Sequence, residues 1–407
     1  SGLSPPRQRP SSLGVGVSRL GTGGAKPHTS VIFGNAFRGS VTIHTVWVQR
    51  LVAGSGSPCS VSRMVGGGVR CRWLPPGFPL DLERLQSDMD RRRPGQSVYT
   101  TLRKEEDKVE VLSGLYNGRT NGGPLTLFVK NEDIQSSTYS EVGFKPRPSH
   151  LDYTAHLRYR GYFDYRGGGF LSGRMTAAMV LGGGVAKQLL GYVGVGVHAY
   201  MRSLGGVDLP REPSLEEVVA NTYSSPVRCP IPEAAEEMMK RVSDARSSGD
   251  SVGGIVECLV VNVPAGYGEP IFDSVESLLA HALFSVPGVK GVEFGAGFHV
   301  ANMKGSEAND EFYVEEGKIR TKTNNNGGIQ GGITNGMPIV LRVAFKPTAS
   351  IPKPQRTVNL ETMREETIVV KGRHDPAIAI RGVIVVENMV AAVLADVLYT
   401  MIDQKKF

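Results

Sequence analysis

Between Ser1 and Leu80 the chain has no aspartate and no glutamate. Nine lysines and arginines fall in that stretch, so the formal net charge of +7 is concentrated there and the rest of the chain is close to neutral. That excludes a basic nucleic-acid-binding body, in which positive charge would cover a whole face. Cysteine is scarce as well. Cys59, Cys71, Cys229 and Cys258 have neither metal-site spacing nor a secretory context, and read as reduced thiols in a cytosol-like compartment. Apolar runs long enough to cross a membrane are missing: the best one, Gly382–Leu398, carries Glu387, Asn388 and Asp396. No dinucleotide fingerprint is present, since GAGF at Gly295–Phe298 is too short to count.

Glycine is what the chain has in abundance, 51 of 407 residues. It gathers where side chains of chemical interest also gather. Lys145–Leu190 sets basic, phenolic and imidazole groups in a run broken by Pro146, Pro148 and the Gly167–Gly169 triplet. Ser172 and Arg174 follow at the mouth of a predicted helix, Met175–Leu190. Bare backbone, a hydroxyl, a guanidinium and a helix start together suit an anion. Arg91, Arg92 and Arg93 precede a Pro-Gly bend and the hydroxyls of Ser97, Tyr99 and Thr100. On its own such a run is a solvated face; with the bend it suits a phosphate or carboxylate clamp. Asn324–Ile351 alternates glycine-rich turns with one strong strand, Pro338–Phe345, and could equally be a sheet edge or a place where backbone N–H groups meet a ligand. Gly372–Pro376 puts Arg373, His374 and Asp375 on a tight turn.

Elsewhere the periodicity predicts mixed α and β. DLERLQSDMDRRRPG, from Asp81, reads as a short helix stopped by Pro94 and Gly95, and Val109–Gly114 and Gly123–Lys130 as strands. Ser214-x-x-Glu217 is a capping-box signature, and Pro232–Ser248 reads as a helix stopped by Gly249. Ile255–Val263 and Val289–Phe294 read as strands. Asp273 is expected to open a helix to Ser285, Glu307–Lys322 to form a surface loop or hairpin, Thr367–Lys371 a strand and Val385–Ile402 a last helix. Gly182–Gly184 would weaken the helix that contains them, which predicts a close neighbour there.

Five stretches resemble the chorismate synthase family: DRRRPGQSVYTT (Asp90–Thr101), RPSHLDYT (Arg147–Thr154), DYRGGG-x-x-S-x-R (Asp164–Arg174), Asn324–Ile351 and GRHDPAIAIRG (Gly372–Gly382). The resemblance runs from about Leu74 to the C-terminus. It implies an α/β (α+β) fold, a β-α-β sandwich with helices enclosed between antiparallel sheets, assembled as a homotetramer. It implies a phosphate lyase that uses reduced FMN to eliminate phosphate from 5-enolpyruvylshikimate 3-phosphate, removing a C6 hydrogen and giving chorismate. His150 and Asp375 take the catalytic positions: His150 matches one of the family's two histidines, of which one assists phosphate departure and the other sits near the flavin, and Asp375 assists proton transfer. Ser172, Gly331, Lys346, Pro347, Thr348, Ala349, Ser350 and Arg373 match positions that contact FMN, and Arg92 and Arg174 match substrate contacts. Two departures stand out. Val98 replaces an arginine common in the family, and Phe170-Leu171-Ser172 stands where Arg-Ser-Ser is frequent. With no extra domain for an NADPH-dependent flavin reductase, reduced flavin is expected from outside, and the body reads as cytoplasmic.

Before Leu74 the resemblance stops. Ser1–Ser30 is disordered on composition, and is either a plastid-type transit peptide or a non-native extension. Val31–Trp73 should hold the family's first histidine, in a motif like F-R-V-T-x-F-G-E-S-H-G, and does not; His44, the nearby imidazole, reads as incidental. Read out of phase, Gly54–Val65 can encode Phe-Arg-Val-Thr-Val-Phe-Gly-Glu-Ser-His-Gly. Residues 31–73 are therefore expected to be an out-of-frame segment, 74–407 a single domain, and an impaired FMN-binding version of the enzyme is the alternative reading.

Overall fold

A strand that buries one face alternates apolar and polar residues, and a helix buried all round has no polar stripe. Both patterns are present here and together they build a layered molecule. The computed structural model describes residues 67–71, 74–101, 106–130, 144–163, 172–370, 372 and 374–403. All of these belong to one compact unit, Gly39–Phe407. Ser1–Ser30, the Gly54–Val65 stretch, the Gly167–Gly169 triplet and Arg373 lie outside the described residues.

The chain begins with β1 (Gly67–Cys71), α1 (Leu82–Arg92), β2 (Val109–Ser113), β3 (Leu115–Tyr116), β4 (Arg119–Thr120), β5 (Leu125–Val129) and α2 (Asp152–Arg158). It continues through α3 (Thr176–Tyr192), β6 (Gly196–Leu204), β7 (Val207–Asp208), α4 (Leu215–Asn221), α5 (Pro232–Ser247), β8 (Gly254–Val261), α6 (Val275–Phe284) and β9 (Val289–Phe294). It closes with α7 (Gly305–Ala308), β10 (Phe312–Glu315), β11 (Lys318–Thr321), β12 (Ile329–Gln330), β13 (Ile333–Thr334), β14 (Ile339–Phe345), β15 (Gln355–Asn359), β16 (Arg364–Ile368), α8 (Ala379–Val397) and α9 (Tyr399–Asp403).

Five strands form one antiparallel sheet in the order β7-β6-β8-β14-β9, and three form another in the order β1-β5-β2. Along β14, Ile339, Leu341, Val343 and Phe345 are buried and the residues between them are not; along β5, Leu125, Leu127 and Val129 are buried. These faces meet a helical layer. α3 packs on β1, β5 and α8, while α8 packs on β6, β8 and β14. That is the enclosed-helix sandwich. Full burial of one Leu or Ile side chain stabilises by about 1.5–3 kcal/mol, and the core contains Leu181, Leu189, Leu190, Ile384 and Leu394 from this layer alone.

The glycines of α3 have a steric reason. A Cβ at Gly183 would collide with the Asn388 carbonyl of α8, and one at Gly184 would lie 2.5 Å from Leu85 Cδ1 of α1. The propensity cost of about 1 kcal/mol per glycine is the condition for three helices to meet. The capping box at Ser214 and Glu217 forms as expected.

Four expectations need correction. α6 starts at Val275 with Ser274 as its cap, accepting from the Ser277 N–H at 3.1 Å, so Asp273 does not open it. The final helix starts earlier, at Ala379, and is interrupted at Leu398. The strand near Thr367 runs Arg364–Ile368 and pairs with β15 in a hairpin that the sequence did not announce. Lys145–Leu190 contains a further helix, α2, which begins once the chain has cleared Pro146 and Pro148.

Candidate active site

Pro148 and Ser149 turn the chain sharply, with Ser149 in the left-handed region at φ 55°. The turn delivers His150 to the surface, its side chain 23% exposed, while Asp152 goes inwards at the start of α2. Arg147 holds that arrangement. Its Nε donates to Asp152 Oδ2 at 2.7 Å, its Nη2 to Oδ1 at 2.8 Å, and its backbone N–H to Oδ2 at 3.0 Å. His150 Nδ1 lies 2.7 Å from Asp152 Oδ1. Burial alone would raise the Asp152 pKa, but the hydrogen bonds from Arg147 and His150 outweigh it and hold the carboxyl well below its ordinary range.

The segment after β14 comes to this turn. Lys346 Nζ donates to the Ser149 carbonyl, and Arg147 Nη1 donates to Ser350 Oγ at 3.1 Å. Partial burial, with the Lys290 charge as a lesser cause, lowers the Lys346 pKa. Pro347 follows in an exposed position and packs against Gly253, where a Cβ would lie 3.2 Å from its Cδ. Thr348 Oγ1 donates to the Asp375 carbonyl at 2.6 Å, and Ala349 stands between these two anchors, half-buried.

Asp375 continues the line. Its Oδ1 accepts from the Thr101 N–H at 2.6 Å and its Oδ2 pairs with Arg381 Nη1 at 3.1 Å. Arg381 Nε then donates to the Arg92 carbonyl at 2.9 Å. Arg92 Nη2 donates to the Gly173 carbonyl at 3.3 Å and the Arg174 carbonyl at 3.5 Å. Ser172 Oγ accepts from the Arg174 N–H at 3.3 Å and caps the short 3-10 turn that leads into α3. His150, Lys346, Thr348, Ser350, Asp375, Arg92, Arg174 and Ser172 are thus joined by one continuous line of contacts.

Two expected residues sit differently. Arg92 is 3% exposed, with Nε on Thr176 Oγ1 at 3.1 Å and Nη1 on Asp107 at 2.7 Å. With Nε, Nη1 and Nη2 all engaged inside the protein, it braces the Ser172–Arg174 turn from behind. Gly331 is not in the line. It forms the tight turn between β12 and β13 at φ 60°, with open space where a Cβ would be. Four residues on, Asn335 Nδ2 is buried and has no partner among the described residues.

Sequence reading missed Arg147, Asp152, Arg381 and Thr101. Each lies inside a quoted motif, but its importance comes from pairing: Arg147 with Asp152, Arg381 with Asp375. The donor set fits FMN. Lys346 and Ser350 can meet a phosphate, and the Asn335 amide is a buried donor that needs an acceptor of the kind a flavin ring carries. Among the described residues no group of His, Cys, Asp and Glu could hold a metal.

A separate cleft of about 490 Å³ lies between α1, α3, α4 and the start of β6. Its buried charges are already paired. Lys187 binds Glu387 and, at 3.0 Å, Asp88; Glu387 also accepts from Tyr223 Oη at 2.9 Å and the Ala199 N–H at 3.0 Å. Arg91 pairs with Asp88 at 3.2 Å and lies 4.0 Å over the Tyr223 ring.

The fold is a β-α-β sandwich, and its line of contacts sets Lys346 and Arg147 around the turn that carries the partly exposed His150 imidazole, a group of side chains suited to an anion. The sequence model of the chorismate synthase family matches residues 61–399. The chorismate synthase of Korarchaeum cryptofilum is 52% identical over 322 residues, 79% of this chain and 89% of that protein. The one from Aeropyrum pernix is 49% identical over 334 residues, 82% of this chain and 88% of its own. A crystal structure of chorismate synthase superposes with a TM-score of 0.66 at 29% identity, covering 84% of this chain and 90% of that one. The chain belongs to the chorismate synthase family. Its activity is that of a phosphate-eliminating lyase, with 5-enolpyruvylshikimate 3-phosphate as substrate and chorismate as product.

Proposed function

We propose that the chain binds reduced FMN along Lys346–Ser350 and the Gly331–Asn335 turn, and that His150 assists the departure of phosphate. The unbroken line of contacts from His150 through Lys346, Ser350 and Asp375 to Arg174 supports this reading. FMN, when bound, supplies the reduced flavin that the redox-neutral elimination requires. The protein supplies position and charge. Lys346 and Ser350 offer an ammonium and a hydroxyl to a phosphate. Arg174, carried on a turn that Arg92 fixes, meets substrate anions in this reading, and Arg373 belongs to the same proposal by its motif. His150 gives a proton to the leaving phosphate, a transfer an imidazole performs near neutral pH. Asp375, held by Thr101 and Arg381, is placed for proton transfer on the flavin side.

A homotetramer and a cytoplasmic location are part of the same proposal. Ile271, Phe272 and Phe298 are 78%, 88% and 84% exposed, the kind of apolar surface that association covers. Cys229 and Cys258 are free and buried. Reduced flavin comes from an external, NADPH-dependent or other, reductase.

A second reading concerns rate. Gly-Glu-Ser-His-Gly does not occur in this sequence. We propose that the chain as it stands binds flavin but turns over slowly, and that Gly54–Val65 encodes the missing motif out of phase. An anaerobic assay with dithionite-reduced FMN tests both parts. Phosphate release should require reduced flavin, and restoring the frame across Gly54–Val65 should raise the rate. A chain that binds no flavin would sink the first part, and an unchanged rate after restoration the second.

A further inference from the structure

We infer that Asp152, clamped by Arg147, fixes His150 in the tautomer that carries its proton on Nδ1, which leaves Nε2 as the reacting nitrogen and makes Asp152 a positioning residue for phosphate loss. The role in phosphate loss rests on the reading of His150 given above; the tautomer does not.

The chemistry of the contacts requires it. Asp152 is ionised, because three donors from Arg147 converge on its two oxygens. An ionised carboxylate only accepts hydrogen bonds. At 2.7 Å from Oδ1, His150 Nδ1 must therefore be the donor. Arg147 Nη2 also lies 3.0 Å from Nδ1, but a nitrogen that carries a hydrogen cannot accept from it, and Nη2 already has Oδ1 at 2.8 Å. Among the described residues no group bonds Nε2.

The rest of the turn makes this geometry rigid. Lys346 holds the Ser149 carbonyl, Thr357 Oγ1 donates to the Pro146 carbonyl at 2.5 Å, and Ser350 takes the remaining arm of Arg147. The segment proposed to hold the flavin phosphate therefore also holds the residue that orients His150. In the reaction the ring carbon–oxygen bond breaks and its electron pair leaves with the phosphate. The C6 hydrogen leaves as a proton towards the flavin side, where Asp375 stands in the reading above, and the pair it leaves behind forms the new double bond. The Nε2 proton goes to the departing phosphate oxygen, and the ring becomes neutral with its remaining hydrogen still shared between Nδ1 and Asp152.

Replacing Asp152 by Asn has a specific consequence. One oxygen must then serve Arg147 Nε and the Arg147 N–H, which both use Oδ2. The amide NH2 is left facing His150 Nδ1 and forces that nitrogen to accept, so the ring hydrogen moves to Nε2.

Long-range proton–nitrogen spectra of the full chain, labelled in histidine, read this directly. His150 signals are assigned by their loss in His150→Gln. In the parent chain, above the imidazole's titration, Nδ1 should be the protonated nitrogen; a hydrogen on Nε2 overturns the inference without any variant. In Asp152→Asn the hydrogen should move to Nε2 and kcat should fall by about 10²-fold, with KM little changed. The limb of the rate profile that falls with rising pH should move to lower pH, and Asp152→Glu should recover part of the rate. A kcat loss with an unmoved spectrum and an unmoved pH profile would make Asp152 merely structural. If His150→Gln keeps full turnover, the catalytic reading of His150 fails while the tautomer still stands or falls on its own spectrum.

Discussion

Two clusters of charge in this molecule both pair a cation with a buried carboxylate and do opposite things. Lys187, Glu387, Asp88 and Tyr223 meet between α1, α3, α4 and α8, and every strong donor there has an acceptor inside the protein. Burial would raise the Glu387 pKa and lower that of Lys187; each partner's charge reverses the effect, so both stay ionised. Arg147, Asp152 and His150 are also paired, yet their pairing ends on an imidazole nitrogen with no protein partner among the described residues. The first cluster is closed and fastens helices together. The second is built on a turn and points chemistry outward. Charge and burial do not distinguish them; an unspent hydrogen-bonding atom does.

The largest test of that contrast is His150→Ala. Turnover should fall by about 10²–10⁴-fold, the usual contribution of a positioned acid or base, while flavin binding and the melting midpoint stay close to the parent's. Turnover that survives would remove His150 from the reaction and erase the contrast. Lys187→Met is the counterpart. It leaves buried Glu387 with no cation and Asp88 with Arg91 alone, so unfolding in urea should show a loss of about 3–5 kcal/mol, and activity per folded molecule should change little. Acid affects both clusters in the same sense. Asp152 and Glu387 have pKa values below those of the unfolded chain, so their stabilisation is complete above the ordinary carboxylate range near about pH 4. It is lost as pH falls below that range. Denaturant midpoints measured downward from pH 5 should decline, and Asp152→Asn should flatten the slope. A slope unchanged in that variant would mean that Asp152 is not held as low as its partners imply.

The layers of the fold were legible because they depend on periodicity. Ile339–Phe345 is a short apolar run broken only by Arg342, and Ser214-x-x-Glu217 announces its own cap. α2 was hidden, since seven residues after two prolines give too little pattern, and the β15–β16 hairpin was hidden because neither strand is apolar. At the site, His150, Lys346–Ser350 and Asp375 were recoverable from motifs. Their connection was not, because Arg147 and Ser350, or Thr101 and Asp375, are brought together only by the layered core. The arginine run shows what spacing alone decides. Three adjacent arginines suggested a clamp, but their helical spacing sends them to different surroundings: Arg91 to Tyr223, Arg92 inward to Thr176 and Asp107, Arg93 towards Asp90.

The smallest effect is expected at a third group of charges, on the surface of α4. Ser214 Oγ accepts from the Glu217 N–H at 3.2 Å, Glu217 returns a bond to the Ser214 N–H at 2.8 Å, and Arg211 Nη1 reaches the same carboxylate at 2.8 Å. Solvent surrounds these groups, so removing one partner exposes nothing that water cannot satisfy. Ser214→Ala should therefore cost about 1 kcal/mol, the usual value of a helix cap, and leave turnover unchanged. This variant calibrates the other two. If a loss this small at α4 also slowed the reaction, low turnover in His150→Ala could be a stability effect transmitted through the layers. If turnover holds while the melting midpoint falls, the chemistry is insulated from modest loosening of the scaffold, and the His150 result can be read as chemistry.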